Sequence, residues 1–342
     1  LSTGHRGKDR LSFAEEALSK VSAHHSSASP KCRGPSSLFG NQLTAHTLSS
    51  HYLQGEPVGR KAFRLSLNGG SLLEMAHRIS NLFGGVVKHL SHEYRAAEVR
   101  HADETSWRTD GQSGYCWLFS AEDLSIYLFR RSRAASEALE VLGDQPLSGV
   151  LVVDRYHAYN RAPCALQYCY AHLLRDVEDL GKEFAADEEV QCFTSTLIPL
   201  LAQAMHLRGQ AISDQQYYRQ ARQLKTQIIK IIEAEARHPG VRRIQDIFRE
   251  KEHRLYHWVE DRRVPAENNR AERELRPLVI ARKVSFGSQS EAGAKTRETL
   301  LTRLATLKKR EERPAQRLKE VLDELAAVPQ RDVLKLLWPD TS

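Results

Sequence analysis

Residues 148–159 read SGVLVVDRYHAY, and within them Val150 to Val153 form an unbroken β-branched and aliphatic run behind Gly149. A strand with one wet face alternates polar with apolar residues, whereas a run without alternation is how a strand covered on both faces reads. The chain therefore has to build a sheet with helices on its faces, an α/β arrangement. The run ends in an acid, Asp154. A carboxylate at the carboxyl end of such a strand is costly unless it meets a metal or polar ligand at the edge of the sheet, which makes Asp154 the first candidate for chemistry. An aspartate there also caps a turn well, and the strand alone leaves both readings open.

The flanks add further acids. Upstream, residues 97–108 read AEVRHADETSWR; downstream, residues 265–287 read PAENNRAERELRPLVIARKVSFG. Strands are expected at Val99 to Trp107, Tyr115 to Phe119 and Ile126 to Phe129, joined as hairpins through the turn-prone TDGQSG and SAED. Ala135, Ala138, Leu139 and Leu142 share one helical face between Ser132 and a Gly143 stop. That helix returns the chain to the Asp154 strand by a right-handed crossover. Another short strand, Leu166 to Cys169, leads into a helix from Ala171 to Phe184.

From Asp187 to Asp261 the periodicity is helical throughout, with breaks at Ser213-Asp214 and Pro239-Gly240. The last section, Glu291 to Trp338, is again helical, and its charge run Lys308 to Arg313 reads as a solvated face or turn ahead of Pro314. Residues 1–36 are rich in Ser, His and Gly and read as a flexible tail. Residues 37–98 read as a helical lead-in for DNA or partner binding, broken at Gly55 to Pro57 and resuming with Ser71 as an N-cap. The expected organisation is thus tail, lead-in, first part of a core over 99–186, helical insertion over 187–261, and the end of the core with C-terminal helices over 262–342.

A surplus of 50 Lys and Arg over 43 Asp and Glu, net +7, is compatible with a polyanionic partner. Five cysteines without a small-scaffold spacing argue for a reducing interior, and with no membrane-length apolar run and no secretory leader the expected location is cytoplasmic. P-loop, H-E-x-x-H and G-x-S-x-G signatures are absent, which removes nucleotide-driven, zinc-protease and serine-hydrolase readings. Cys164-x4-Cys169-x2-His172 has part of a zinc spacing but lacks a fourth ligand. Trp107, Tyr156 and Tyr159 read as core aromatics.

The order of strands, helices and acids resembles the ribonuclease H-like fold: a mixed sheet flanked by helices, an all-helical insertion before the last acid-bearing helix, and helical N- and C-terminal extensions. From Phe39 onward the chain is similar to transposases of the insertion-sequence-66 family. The motifs that carry this are DET at Asp103 to Thr105, D-x-Y-x-x-Y at Asp154 to Tyr159, C-x-A-H-x-x-R at Cys169 to Arg175, NN-x-A-E-R-x-x-R-P at Asn268 to Pro277, Arg282-Lys283, and G-S-x-x-x-x-G from Gly287 to Gly293. The resemblance implies a DDE-type enzyme that cleaves donor DNA and joins it to target DNA. Asp103, Asp154 and Glu272 would be its catalytic and metal-holding acids, with two Mg²⁺ or Mn²⁺ ions. Double-stranded DNA is the implied substrate, with a homo-oligomer on DNA, accessory proteins of the element as further partners, and a nucleoid association.

The sequence departs from the family's cysteine-bearing N-terminal region, where it has only Cys32. A truncated, catalytically silent DNA-binding protein is the alternative.

Three acids suit the implied chemistry, because two ions roughly 3.5–4 Å apart can activate the attacking oxygen and stabilise the leaving one. The spacing sets further expectations. Asp103 and Asp154 should lie on adjacent strands within about 4–6 Å. Glu267 competes with Glu272 for the third position, since the two lie about 140° apart around a helix and cannot aim at one ion. Glu272 could instead close a capping box with Asn269 or pair with Arg276. Arg270, Arg273, Arg276, Arg282 and Lys283 suit phosphate neutralisation, or form an ordinary basic face. His172, with Cys169, is a second-rank candidate near the centre.

Overall fold

The computed structural model describes residues 69–338. The chain divides into two compact units, Leu1–Glu74 and Met75–Ser342. The tail read over 1–36 and the lead-in before residue 69 lie outside the described residues. Helix α1 (Gly69–Leu82) begins before Ser71, so that serine sits inside its first turn and is not its cap. Helix α2 (Val86–Ala96) follows.

Strands β1 (Val99–Thr109), β2 (Gln112–Ser120) and β3 (Ser125–Arg130) form an antiparallel meander. Helix α3 (Ala135–Leu142) starts three residues later than expected, because Ser132 Oγ is used in a turn, accepting the Ala134 N–H at 2.9 Å. It leads to β4 (Val150–Val153), parallel to β1, and then to β5 (Ala165–Tyr168), parallel to β4. The order is β3-β2-β1-β4-β5. Three antiparallel strands extended past the first by two parallel ones make this the ribonuclease H-like sheet. Gly149 precedes β4 at φ +73°, where a Cβ would stand 2.2 Å from the Glu98 carbonyl oxygen; only glycine lets the crossover enter this close to β1.

Strand alternation sorts the sheet into two cores. On one face Ala102, Trp117, Phe119, Ile126, Leu128, Leu151 and Val153 pack with helices. On the other, Trp107, Cys116, Leu118, Tyr127 and Phe129 meet Ala271, Leu275 and Leu278 of α9 (Asn269–Ser285) and Ala294 of α10 (Glu291–Arg310). β4 is buried on both faces, as its unbroken apolar run requires.

β3 is the outer strand of the meander, and α10 covers its edge. The N–H groups of Ser125, Tyr127 and Phe129 donate to Thr306 Oγ1, Thr302 Oγ1 and Glu298 Oε2 at 3.1, 2.9 and 3.1 Å. Four helical residues advance about 6 Å and two strand residues about 6.6 Å, so the two ladders stay in step. Thr302→Val should cost about 1–3 kcal/mol in denaturant unfolding, since it orphans a buried N–H without changing side-chain volume; an unchanged midpoint would remove this role. Lys309, in the charge run read as solvated, is instead turned inward onto the Ala121 and Leu124 carbonyls, both at 2.8 Å. Arg310 likewise pairs with Glu93 and Asp123.

After β5 the chain enters α4 (Tyr170–Glu183) and then the helical insertion: α5 (Glu188–Leu207), α6 (Asp214–Glu233), α7 (Pro239–Glu250) and the short α8 (His257–Glu260). Ser213 closes a capping box at α6 and Pro239 is the first residue of α7, so the sequence breaks are helix starts. The insertion is tied back to the sheet: Gln167 Nε2 and Tyr170 Oη both donate to the Leu255 carbonyl, at 3.2 and 2.8 Å. Helices α11 (Pro314–Ala327) and α12 (Val333–Leu337) complete the chain. No helix among the described residues is long and apolar enough to cross a membrane.

Candidate active site

The parallel pairing of β1 with β4 runs Val99 to Val150, Arg100 to Leu151 and His101 to Val152. Continued by two residues, the register brings Asp103 level with Asp154, just beyond the end of β4. Parity places Asp103 with His101 and Trp107 on the face that α9 covers, while Glu104 points to the opposite face. There Glu104, its side chain 1% exposed, pairs with Arg133 and accepts a hydrogen bond from Tyr159 Oη.

Helix α9 is pinned along β1 at both ends. At its start, buried Asn268 donates from Nδ2 to the Ala102 carbonyl at 2.8 Å and places Oδ1 2.9 Å from His101 Nδ1. At its end Ser288 exchanges backbone bonds with the β1 hairpin, accepting from Asp110 and donating to Arg108, both at 2.8 Å. Gly287, at φ +130°, lies so close to β1 that a Cβ would stand 2.1 Å from the Arg108 carbonyl oxygen. Burial pushes His101 down to about 3, so it stays neutral and acts as a fixed polar peg. Asn268→Ala strands His101 Nδ1 and the Ala102 carbonyl, so it should cost about 2–4 kcal/mol of unfolding free energy. A loss below about 0.5 kcal/mol would show that the apolar face and the other polar ties of α9 hold it without Asn268.

Glu272 lies in the first turn of α9. The helix cap, Asn268, makes no side-chain cap bond, so the Asn269–Glu272 capping box does not form. No ion pair to Arg276 is present among the described residues. Glu272 Oε1 is instead buried without a hydrogen-bond partner, 4.0 Å from His172 Nδ1, which is also buried and unpartnered.

Asp103 is half-buried, and its carboxyl is pushed up to about 8. Burial is the largest cause, followed by the charge of Glu104, with Asp154 and Glu272 adding to it; the Glu104 N–H, donating to Oδ1 at 2.8 Å, opposes them. Acids after β4 and on α9 thus act on the β1 acid across the folded chain. Asp154 Oδ1 also accepts the Tyr156 N–H at 2.9 Å, so the turn-capping role read from the strand coexists with its place beside Asp103.

The other glutamates of the block point elsewhere. Glu274 accepts from Ser120 Oγ and Ser125 Oγ at 2.9 and 2.6 Å and pairs with Lys309 at 2.8 Å, fastening α9 and α10 to the sheet. Glu267 precedes the helix and lines a cleft of about 730 Å³ with His206, Arg208, Arg262, Arg263 and Asn269. Its pKa is raised by burial, against lowering by Arg208, Arg273 and His206.

Among the basic candidates, Arg270 donates to the Ala121 carbonyl at 2.8 Å, and Arg282 to Thr105 Oγ1 and the Ser106 carbonyl at 3.1 and 2.6 Å. Those two are engaged in holding α9. Arg273, Arg276 and Lys283 are exposed.

The zinc spacing through Cys164 does not assemble, since Cys164 sits beside Arg100. Cys169, His172 and Glu272 do come together, with their ligand atoms within 4.8 Å of one another. Sequence reasoning missed His101, whose only signal was its position two residues before a candidate acid; Asn268 and Glu104 stood inside the quoted motifs, but their roles as a peg to β1 and as the partner of Arg133 were not legible there.

Comparison with known proteins decides the family. The model of the family described as "Transposase IS66 family" matches residues 36–296. The chain belongs to this transposase family. Within the matched span fall Asp103, Asp154, Cys169, His172 and Glu272. Two relatives from Sinorhizobium fredii (strain NBRC 101917 / NGR234) are the uncharacterized protein y4jD, 26% identical over 202 residues, and the uncharacterized protein y4qI, 25% identical over 344 residues. The matches cover 53% and 89% of this chain but 38% and 63% of those proteins, so the chain spans under two thirds of either relative. The catalytic domain of Mos1 mariner transposase matches at 12% identity over 49% of this chain and 94% of that domain, with a TM-score of 0.18. The fold assignment rests on the sheet order, not on that superposition.

Proposed function

We propose that this chain carries the catalytic core of a DDE-type transposase, cutting DNA at element ends and joining the 3′ hydroxyl to target DNA in a divalent-metal-dependent reaction. Asp103, Asp154 and Glu272 would hold two Mg²⁺ or Mn²⁺ ions. The observation that carries this reading is the β1–β4 register, which brings Asp103 level with Asp154, together with the α9 contact that sets the buried Glu272 Oε1 without a donor; the charges of both acids help raise the half-buried Asp103 carboxyl. The donors fit: all are carboxylates, the ligand type Mg²⁺ prefers, and Glu272 Oε1 is a buried acceptor without a donor. Bound divalent ions would activate the attacking oxygen and stabilise the leaving one at phosphorus.

The protein's own part is to hold the acids in register through β1 and β4, to fix Glu272 through Asn268, and to bind the DNA backbone. For that, exposed Arg273, Arg276 and Lys283 and the cleft-lining Arg208 supply positive charge, whereas Arg262 and Arg263 in the same cleft are paired with Asp214 and Asp261. Bringing two element ends together would engage more than one copy of the chain.

The test is nicking of DNA carrying the element's ends, with Mg²⁺, Mn²⁺ or chelator. Cleavage that appears only with the divalent ion is expected. Ion-independent cleavage would overturn the metal-dependent mechanism, and DNA binding with no cleavage under any ion would favour a silent DNA-binding relative.

A further inference from the structure

The first turn of α4 meets the first turn of α9 in a set of donors that Mg²⁺ chemistry does not need. Cys169 Sγ, a His172 nitrogen and a Glu272 oxygen all lie within 4.8 Å of one another. His172 Nδ1 and Glu272 Oε1 are buried and unpartnered, 4.0 Å apart. A buried nitrogen and oxygen left in this state cost free energy unless something bridges them. Cys169 is the N-cap of α4, fully buried, and accepts the Asn268 N–H at 3.1 Å, with the Ala171 and His172 N–H groups also directed at the sulfur. Burial pushes the Cys169 thiol up to about 11, with those backbone donors opposing it, so the sulfur stays a thiol until a bound cation displaces its proton.

We propose that Cys169, His172 and Glu272 form a site for a borderline-soft divalent ion such as Zn²⁺, and that an ion held there withdraws Glu272 from Asp103 and Asp154. Sulfur, imidazole nitrogen and one carboxylate oxygen are the ligand types Zn²⁺ takes, and three protein ligands leave one position open. Mg²⁺, which takes oxygen ligands, gains nothing from the thiol or the imidazole. The part concerning Asp103 and Asp154 rests on the function proposed above; the ion site itself does not.

Co²⁺ is the probe, added to the chelator-stripped full chain. One equivalent should give a thiolate-to-cobalt charge-transfer band in the near ultraviolet, displaced by Zn²⁺. Cys169→Ser should abolish the band and His172→Ala weaken binding at least tenfold, whereas Cys192→Ser and Asp103→Asn retain it. A serine hydroxyl can accept the Asn268 N–H in place of the sulfur; should that variant misfold, His172→Ala alone still decides. No band in the native chain, a band that survives Cys169→Ser, or unchanged affinity in a folded His172→Ala overturns the site. Because the spectrum needs no DNA cleavage, a chain with the band but no metal-dependent nicking would sink the transposase reading and leave this site standing.

Discussion

Glu272→Gln is expected to lower Mg²⁺-dependent cleavage and strand transfer by about 1,000-fold or more, the several kcal/mol that an ion ligand at the reacting phosphate supplies. Glutamine keeps the size of the side chain and removes the charge. Folding should survive, because Glu272 neither caps α9 nor makes a helical ion pair. A melting temperature within about 2 °C of the native chain's, the shift that roughly 0.5–1 kcal/mol would give, is the expected control. Glu267→Gln should keep most activity, since Glu267 looks into the Arg208 and Arg262 cleft and is not among the acids acting on Asp103. Activity lost in the Glu267 variant and kept in the Glu272 variant would exchange their roles.

Asp103→Asn is expected to remove activity while stabilising the metal-free protein at high pH. The native carboxyl titrates at about 8 instead of the ordinary 3.8. Between those values the folded state holds a proton that the unfolded state has released, so folding stability falls as pH rises through this window. Asparagine has no proton to lose. Around pH 8–9, with chelator, the variant should therefore melt several degrees above the native chain; near pH 4 the two should coincide. His101, held neutral down to about 3, works in the opposite sense, its contribution being lost as pH falls from 6.5. Above pH 7 the buried Cys116, Cys164 and Cys169 thiols, Lys309 and Arg303 also contribute, but they are common to both proteins, so the difference between variant and native chain isolates Asp103. Mg²⁺ should raise the melting temperature of the native chain and leave that of Asp103→Asn nearly unchanged. A variant less stable than the native chain at pH 9 would mean that Asp103 is not a frustrated acid.

What the sequence made legible was whatever local pattern encodes. The apolar run of β4, the meander, the crossover helix and the helical insertion follow from periodicity and turn residues, and all are present. Long-range polar contacts leave no such trace. Nothing local announces that Thr302 and Thr306 complete the edge of β3, that Lys309 turns inward, or that Asn268 spans from α9 to β1. For the same reason Arg270, Arg273, Arg276, Arg282 and Lys283 read as one basic set, although Arg270 and Arg282 fasten the helix while Arg273, Arg276 and Lys283 face solvent. Asp103 and Glu104 are adjacent, and only strand parity, known once α9 is placed, separates the acid facing the helix from the one paired with Arg133.

The central claim is that Asp103, Asp154 and Glu272 together hold the divalent ions, and locating Mn²⁺ by its anomalous scattering in crystals of the chain soaked with that ion tests it most directly. Anomalous density is expected among these three carboxylates, each within coordination distance of an ion, and is expected to be lost in Asp103→Asn. A peak at Glu267 or Glu274 instead, or no ordered ion in crystals of protein that still cleaves DNA with Mn²⁺, would contradict it.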